Sequence, residues 1–283
     1  MRQPKKWKDT INPFDLQFNS FKITKVLGYP HARNDVFYLT GEQNGKKINC
    51  FLKYSTKNDS DIKREVDAIK QLNFKFLPKI IESDESSYIL TKKMPGERLS
   101  YILKNNKGER STDYMYEYGK SLALIHQTNI TAQSVKERSF FSVPNKEQLE
   151  KLKIDYIYSY LQNNKPTEIC SCFCHGDFHY ANVLWKNKKI SAVLDWELSG
   201  IGNRDFDIAW AIFNRPGQEF LRTKREIELF FKGYLSIAPY NENNVYYYMA
   251  QIYAHFLSIS KNGEYHKFVK SWLKRFIKNK KDN

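Results

Sequence analysis

Residues 174–197 read CHGDFHYANVLWKNKKISAVLDWE, and no other stretch constrains the chain as tightly. Asp177 precedes Asn182 within one short segment, and Asp195 closes the apolar run from Ile190 to Leu194. An acid and an amide at this spacing predict a short loop, with the acid pointing outward and the amide turning back. Asp195 is then carried to the same place by a neighbouring hairpin. Phosphoryl transfer from a nucleotide to a hydroxyl uses this residue set: one carboxylate takes up the hydroxyl proton, while an amide and another carboxylate hold magnesium against the phosphates. The competing reading is a turn capped by Asp and Asn side chains. An HGDxxxxN string followed at this distance by a buried-strand Asp is uncommon by chance.

The segment needs a scaffold, and the chain can supply one. Its 283 residues, 41% hydrophobic and 15% aromatic, suffice for one large or two modest folded domains. No apolar run approaches the length of a membrane span. The start, MRQPKKWKDT, lacks the apolar core of a signal peptide, so the expected location is cytoplasmic. The net charge of +15 invites a nucleic-acid or anionic-membrane reading. However, Val269, Trp272, Leu273 and Phe276 recur at helical spacing within the basic tail, which makes its lysines the wet face of a packed helix. Nucleic acid is therefore not an expected partner. Cys170, Cys172 and Cys174 alternate, as small buried hydrophobes would on one face of a core strand; a zinc site lacks the usual second ligand pair.

Patterning divides the chain. Phe21 to Val26, Val36 to Thr40, Lys47 to Tyr54 and Tyr88 to Thr91 read as strands, interrupted by a helix after Ser60 or Asp61 with Ile62, Val66, Ile69 and Leu72 on its apolar face. From Pro95 the pattern is mainly helical: Asp113 to Gln127, Lys146 to Gln162, Asp205 to Phe213, Thr223 to Ser236 and Asn243 to Ser260. The expected fold is α+β, a small β-rich N-terminal lobe (1–93) and a larger, mainly helical C-terminal lobe (94–283). A nucleotide fits the cleft between such lobes. Lys53, inside the apolar strand Cys50–Phe51–Leu52, needs an anion; Glu65 on the following helix is its natural partner, and together they would hold nucleotide phosphates.

With these pieces in place the chain resembles the aminoglycoside phosphotransferase and choline kinase group, small-molecule relatives of protein kinases. The matching pieces run from about Val26 to Phe256: GYPHARNDVFYL, FLKYS, KREV, YILTKKMPGERL, GKSLALIH, CHGDFHYANVLW and VLDWELSGIGNRDFDIAW. The resemblance implies a two-lobed, protein-kinase-like fold with Asp177 as catalytic base, Asn182 and Asp195 as magnesium ligands, and Lys53 with Glu65 at the phosphates. It also implies base-binding backbone at Lys92, Lys93 and Met94, and structural support of the catalytic loop by His175 and Asp207. His126 reads as structural. Mg2+ and ATP or GTP are the implied cofactor and co-substrate. Two departures stand out. Gly176 replaces the arginine of protein kinases, and the helix near Asp205 follows DWE too closely to leave room for an activation segment. The nucleotide loop also lacks GxGxxG, with Arg33 and Asn34 where glycines are usual.

The acceptor is less legible. An aminoglycoside, a polycation, needs clustered carboxylates; Glu197, Asp205, Glu219, Glu226, Glu228 and Glu242 are the candidates, and the net charge argues mildly against it. Choline or ethanolamine would suit an aromatic cage drawn from Tyr246, Tyr247, Tyr248, Trp210 and Trp272, at about 0.5–2 kcal/mol per contact. Sugars, amino-alcohols and macrolides stay open. The most favoured reading is an aminoglycoside phosphotransferase-like kinase of an antibiotic or metabolite. The alternatives are a choline or ethanolamine kinase-like enzyme and a catalytically silent, spore-coat type protein.

Overall fold

The computed structural model describes residues 10–30, 35–56 and 61–281. Arg33, Asn34 and Ser60 lie outside the described residues. Strands β1 (Lys22–Gly28), β2 (Asp35–Gln43), β3 (Lys46–Tyr54), β4 (Ile80–Ser83) and β5 (Tyr88–Lys92) form an antiparallel sheet in the order β1-β2-β3-β5-β4. Alternation along β3 sorts its side chains. Cys50 and Leu52 enter a small core with Phe37, Leu39 and Leu90, while Lys53 faces the other way.

Helix α1 (Ile62–Gln71) crosses behind the sheet, its start capped by Asp61, which accepts the Arg64 N–H at 3.0 Å. Ile62, Val66 and Ile69 are buried, and so is Glu65. Arg64 points the other way and clamps the helix to the rest of the molecule. Its Nη1 donates to Ser134 O at 2.7 Å and Ser199 O at 2.9 Å, and its Nη2 to Gln133 Oε1 at 3.0 Å.

The remainder is mainly helical: β6 (Glu97–Arg98), α2 (Leu99–Asn105), α3 (Thr112–His126), α4 (Lys146–Lys151), α5 (Tyr156–Asn163), β7 (Ser171–Cys174), β8 (Val183–Lys186), β9 (Lys189–Val193), β10 (Gly200–Asn203), α6 (Arg204–Ile212), α7 (Lys224–Leu235), α8 (Glu242–Ile259) and α9 (Gly263–Lys281). Strands β8 and β9 make the expected hairpin, β6 adds to it, and β7 pairs with β10. A single large core joins Phe178, Val193 and Trp196 around the hairpin to Trp210, Phe230 and Tyr253 on the helices. No helix among the described residues is long and apolar enough to cross a membrane.

Two expectations need correction. The stretch Lys146 to Gln162 is two helices, because Lys153 takes a left-handed φ of 57° and the bend buries Ile154 completely. The alternating cysteines do not share a buried face: the strand begins at Ser171, leaving Cys170 exposed, Cys172 half-buried and only Cys174 inside. Strands β4, β6 and β10 and helix α2 are too short to show a period in sequence. The basic tail does form a packed helix, with Val269 and Leu273 buried and Lys267, Lys274, Lys278 and Lys280 exposed.

Helices α3 and α7 touch backbone to backbone. A Cβ built on Gly119 would lie 2.0 Å from Phe230 O, and one on Gly233 would lie 1.9 Å from Tyr116 O. Alanine at Gly119 would gain about 1 kcal/mol of helix propensity. Against this, a clash with a helix carbonyl, which cannot swing aside as a side chain would, costs about 1–3 kcal/mol. Gly119→Ala is therefore expected to lower the urea midpoint of unfolding; a midpoint at or above wild type would show that the two helices separate at no cost.

Candidate active site

The β3 lysine, the α1 glutamate and the acid after β9 meet at one point. Lys53 Nζ lies 2.8 Å from Glu65 Oε2, 2.6 Å from Asp195 Oδ1 and 2.9 Å from Glu197 Oε2. Burial opposes the ammonium, but Asp195, Glu65 and Glu197 outweigh it and hold the Lys53 pKa well above its ordinary value. Burial pushes the Glu65 carboxyl up, and the nearby Asp195 and Glu197 charges add to this against the pull of Lys53. One ammonium among three carboxylates leaves an excess of negative charge. Glu197, expected among the acids of an acceptor pocket, is instead committed to Lys53.

The loop carrying Asp177 is built from both sides. His175 accepts the Asp177 N–H on Nδ1 at 3.1 Å, and its Nε2 donates to Leu194 O at 3.1 Å, so the ring is neutral with its proton on Nε2. Burial holds its pKa down, consistent with that state. Asp207 Oδ2 takes the His175 N–H and the His126 Nε2 contact, each at 3.1 Å, and His126 Nδ1 meets the Tyr234 hydroxyl at 2.6 Å. Gly176 has φ 81°, and a Cβ there would lie 2.5 Å from Leu198 O. The larger residue of the protein kinases has no room at this position.

Asn182 ends a 3-10 turn, Tyr180–Asn182, and spends its Nδ2 on Asp177 O at 3.0 Å and Asp177 Oδ2 at 3.2 Å. Its Oδ1 is thereby left as a donor for a cation. The backbone bond from Leu194 N to Asn182 O, 2.8 Å, brings Asp195 alongside it. Asp195 has φ 67° and a 39% exposed side chain, a strained backbone that turns the carboxylate toward Lys53. Hard cations such as Mg2+ take oxygen ligands, and an amide oxygen and a carboxylate within an acid-rich cluster fit one.

Four residues surround Asp177: Trp210, expected in an aromatic cage, and Arg138, Arg215 and His179, which the sequence did not single out. Trp210 Nε1 donates to Asp177 Oδ1 at 2.7 Å. Arg138 stacks on the Trp210 ring with Cζ 4.1 Å from its centroid, and Arg215 does so at 5.3 Å. His179 lies 3.5 Å from Asp177 Oδ2 and accepts the Ala181 N–H on Nδ1, placing its own proton toward the acid. Burial pushes the Asp177 carboxyl up, but the His179 hydrogen bond and the Arg138 and Arg215 charges bring it well below the ordinary carboxylate range. Burial and Arg215 hold His179 itself down, so at neutral pH it acts as a dipole and the arginines supply the charge. Trp210 was legible in principle, since it follows Asp207 on the same face of α6. Arg138, on an irregular segment, carries no sequence signal.

Other expected residues fall elsewhere. The Lys92 and Lys93 N–H groups are spent on Lys79 O at 2.8 Å and Asn49 O at 2.9 Å, and Lys93 Nζ sits over the Tyr38 ring. That leaves the N–H of the buried Met94 for a base. Asp205 binds Arg204 and Asn244, Glu226 caps α7, and Glu228 faces Lys224 and Arg225. The five aromatics do not form one cage: Trp210 is at Asp177, Tyr246 and Trp272 line a separate cavity of about 900 Å³, Tyr247 is buried against Leu161 O, and Tyr248 takes a hydrogen bond from Asn203.

A family model for the phosphotransferase enzyme family matches residues 26–240. A probable aminoglycoside 3'-phosphotransferase of Lactococcus lactis subsp. lactis (strain IL1403) is 24% identical over 185 residues, which is 58% of this chain and 68% of that protein. The streptomycin–ATP ternary complex of APH(2")-IIa superposes with a TM-score of 0.56 at 19% identity, covering 89% of this chain and 92% of that one. Choline kinase from Cryptosporidium parvum Iowa II does so with a TM-score of 0.54 at 16% identity, covering 98% and 92%. At these identities the structural likeness speaks for the fold, a two-lobed α+β kinase-like architecture.

The depressed Asp177 pKa has a consequence for stability. A carboxylate whose folded pKa lies below its unfolded value, about 3.9, stabilises the fold above that value and loses the contribution as pH falls toward the folded pKa. Asp177→Asn is expected to unfold at lower urea than wild type at pH 7, with the gap closing below about pH 4. A variant as stable as wild type at pH 7 would show that the arginines and Trp210 do not favour the ionised acid.

Proposed function

The chain belongs to the phosphotransferase enzyme family, and on that footing we propose that it transfers the γ-phosphoryl group of ATP or GTP, with Mg2+, to a hydroxyl of a small molecule. The observation that carries this reading is the 2.6 Å contact between Lys53 and Asp195, which brings the strand lysine to the acid lying beside Asn182 and Asp177. In this reading Lys53, steadied by Glu65 and Glu197, turns from its carboxylates to the nucleotide phosphates. The Met94 N–H receives the base. Asn182 Oδ1 and Asp195 would hold Mg2+, which neutralises phosphate charge when bound.

Asp177 then accepts the acceptor's O–H. As the oxygen forms its bond to phosphorus and the bond to the nucleotide diphosphate breaks, the proton passes to the carboxylate. Because Asp177 is a weak base, it orients the hydroxyl early and takes the proton late. That order suits a loose phosphoryl-transfer transition state, in which positioning and electrostatics supply most of the catalysis.

Two rival readings lose support. A silent, spore-coat type protein has no use for five polar residues gathered at one point. A choline-type cage would need the dispersed aromatics to meet.

Asp177→Ala should lower kcat for ADP release in the presence of acceptor by about 10²–10⁴-fold, with the affinity for Mg·AMP-PNP within a few-fold of wild type. Turnover at the wild-type rate would remove Asp177 from the mechanism. Nucleotide affinity indifferent to EDTA would remove the metal.

A further inference from the structure

The acceptor side of Asp177 differs in charge from the nucleotide side. Arg138 and Arg215 flank Trp210, whose indole holds the Asp177 carboxylate, and both guanidinium groups are withdrawn from water. Burying a guanidinium is costly unless its charge and its N–H groups are answered. Here they are not. Arg138 Nε and Nη2 and Arg215 Nη1 are buried without a hydrogen-bond partner. The nearest carboxylate to Arg138 is Asp207 Oδ1, 3.9 Å from Nη2, beyond hydrogen-bond reach, and Asp207's other oxygen already serves His175 and His126. Among the described residues Arg215 forms no ion pair; it donates from Nη2 to Trp210 O at 2.9 Å and stacks on Phe213 with Cζ 4.0 Å from the centroid.

Arg138 also lines a cavity of about 380 Å³ with Phe141, Asn203 and Phe206, and that cavity reaches Gly176, the neighbour of Asp177. The volume is within the range of small-molecule sites. Lys136, Glu137 and Asp207 line it too, so the wall charges balance formally and the unmet hydrogen-bond donors of Arg138 are what its lining leaves over. Three other acids are engaged elsewhere: Glu197 at Lys53, Asp205 at Arg204, Glu226 at the start of α7.

We propose that the acceptor is an anion-bearing hydroxyl compound, with a carboxylate or phosphate that sits against Arg138 in this cavity while its hydroxyl meets Asp177. Arg215, behind Trp210, adds to the same positive field. The inference rests on the phosphotransferase reading of the site and names its substrate class. An anion would satisfy the guanidinium N–H groups at a cost the folded protein already bears, whereas a polycation would leave those donors unmet.

The test is an ADP-release screen with Mg·ATP over three matched sets of hydroxyl compounds: anionic (hydroxy acids, sugar phosphates), neutral (sugars, polyols) and cationic (aminoglycosides, choline). Within the anionic set, the acids against the phosphates tell which anion is read. The best acceptor is expected to be anionic. Arg138→Met should lower the ratio of kcat/KM for the best anionic acceptor to kcat/KM for its neutral counterpart by about ten- to hundredfold, the usual worth of a charge-assisted hydrogen bond, the ratio cancelling any shared effect on Asp177. Arg138→Lys should recover part of the loss, which a merely structural role would not produce. Mg·AMP-PNP affinity and thermal melting serve as folding controls. A neutral or cationic best acceptor, or a ranking by charge unchanged in Arg138→Met, overturns the proposal while leaving phosphoryl transfer standing. If no compound turns over, calorimetry on the Mg·AMP-PNP-loaded protein decides: glycerol 3-phosphate bound no tighter than glycerol or choline overturns it. Failure to bind Mg·AMP-PNP at all overturns the underlying function instead.

Discussion

One buried ammonium, that of Lys53, holds three carboxylates from separate parts of the chain, and the geometry of the site depends on it. Glu65 comes from α1, and Asp195 and Glu197 come from the turn after β9. The arrangement holds only if β3 keeps the register that turns Lys53 away from the small core, and if α1 lies where Arg64 clamps it to Ser134 and Ser199. Such a cluster is costly by itself, since one positive charge cannot offset three negative ones in a desolvated setting. On the proposed phosphoryl-transfer reading the excess has a use. It would draw a divalent cation to Asp195 and Asn182, and it would give Lys53 a reason to exchange its carboxylates for phosphate oxygens.

The Asp177 loop is organised by hydrogen bonds whose roles are set by protonation state. Neutral His175 joins the Asp177 N–H to Leu194 O, so the base and the strand end that presents Asp195 move as one piece. Asp207 fixes the back of the loop, and the left-handed Gly176 lets it approach Leu198 without a side chain in the way. The Gly176 departure from protein kinases thus has a steric cause. With Asp177 oriented by Trp210 and Asn182 in the free protein, little reorganisation would be left for the proposed reaction.

Much of this was legible in the sequence because it is local. The HGDxxxxN string and the Asp195 strand lie within one short segment, and the Lys53 and Glu65 positions follow from strand and helix periods. The two-lobed division followed from the change of period near Pro95. What was missed depends on contacts across long sequence separations: Glu197 on Lys53, Arg138 and Arg215 on either side of Trp210. An arginine in an irregular stretch such as 131–144 has no period to betray its burial, and nothing near Arg138 foretells Trp210 beneath it. The broken helix at Lys153 was invisible for a related reason, because the burial of Ile154 that favours the bend is a tertiary contact.

Charge is divided across the site rather than spread over it. On the nucleotide side the carboxylates outnumber the single lysine; on the far side two guanidinium groups keep N–H donors without an acceptor. Asp177 stands between the two fields, ionised by the second and hydrogen-bonded to Asn182 at the edge of the first. A net charge of +15 says nothing about this partition, since most of the lysines lie on the outer surface. The partition also makes the two sides selective in opposite senses. On the proposed reading a divalent cation would find its oxygen ligands beside Lys53, away from the arginines. An anionic group on the acceptor would be drawn to Arg138 and kept from the acid cluster, which would leave the hydroxyl, the uncharged part of such a molecule, to face Asp177 and the phosphate.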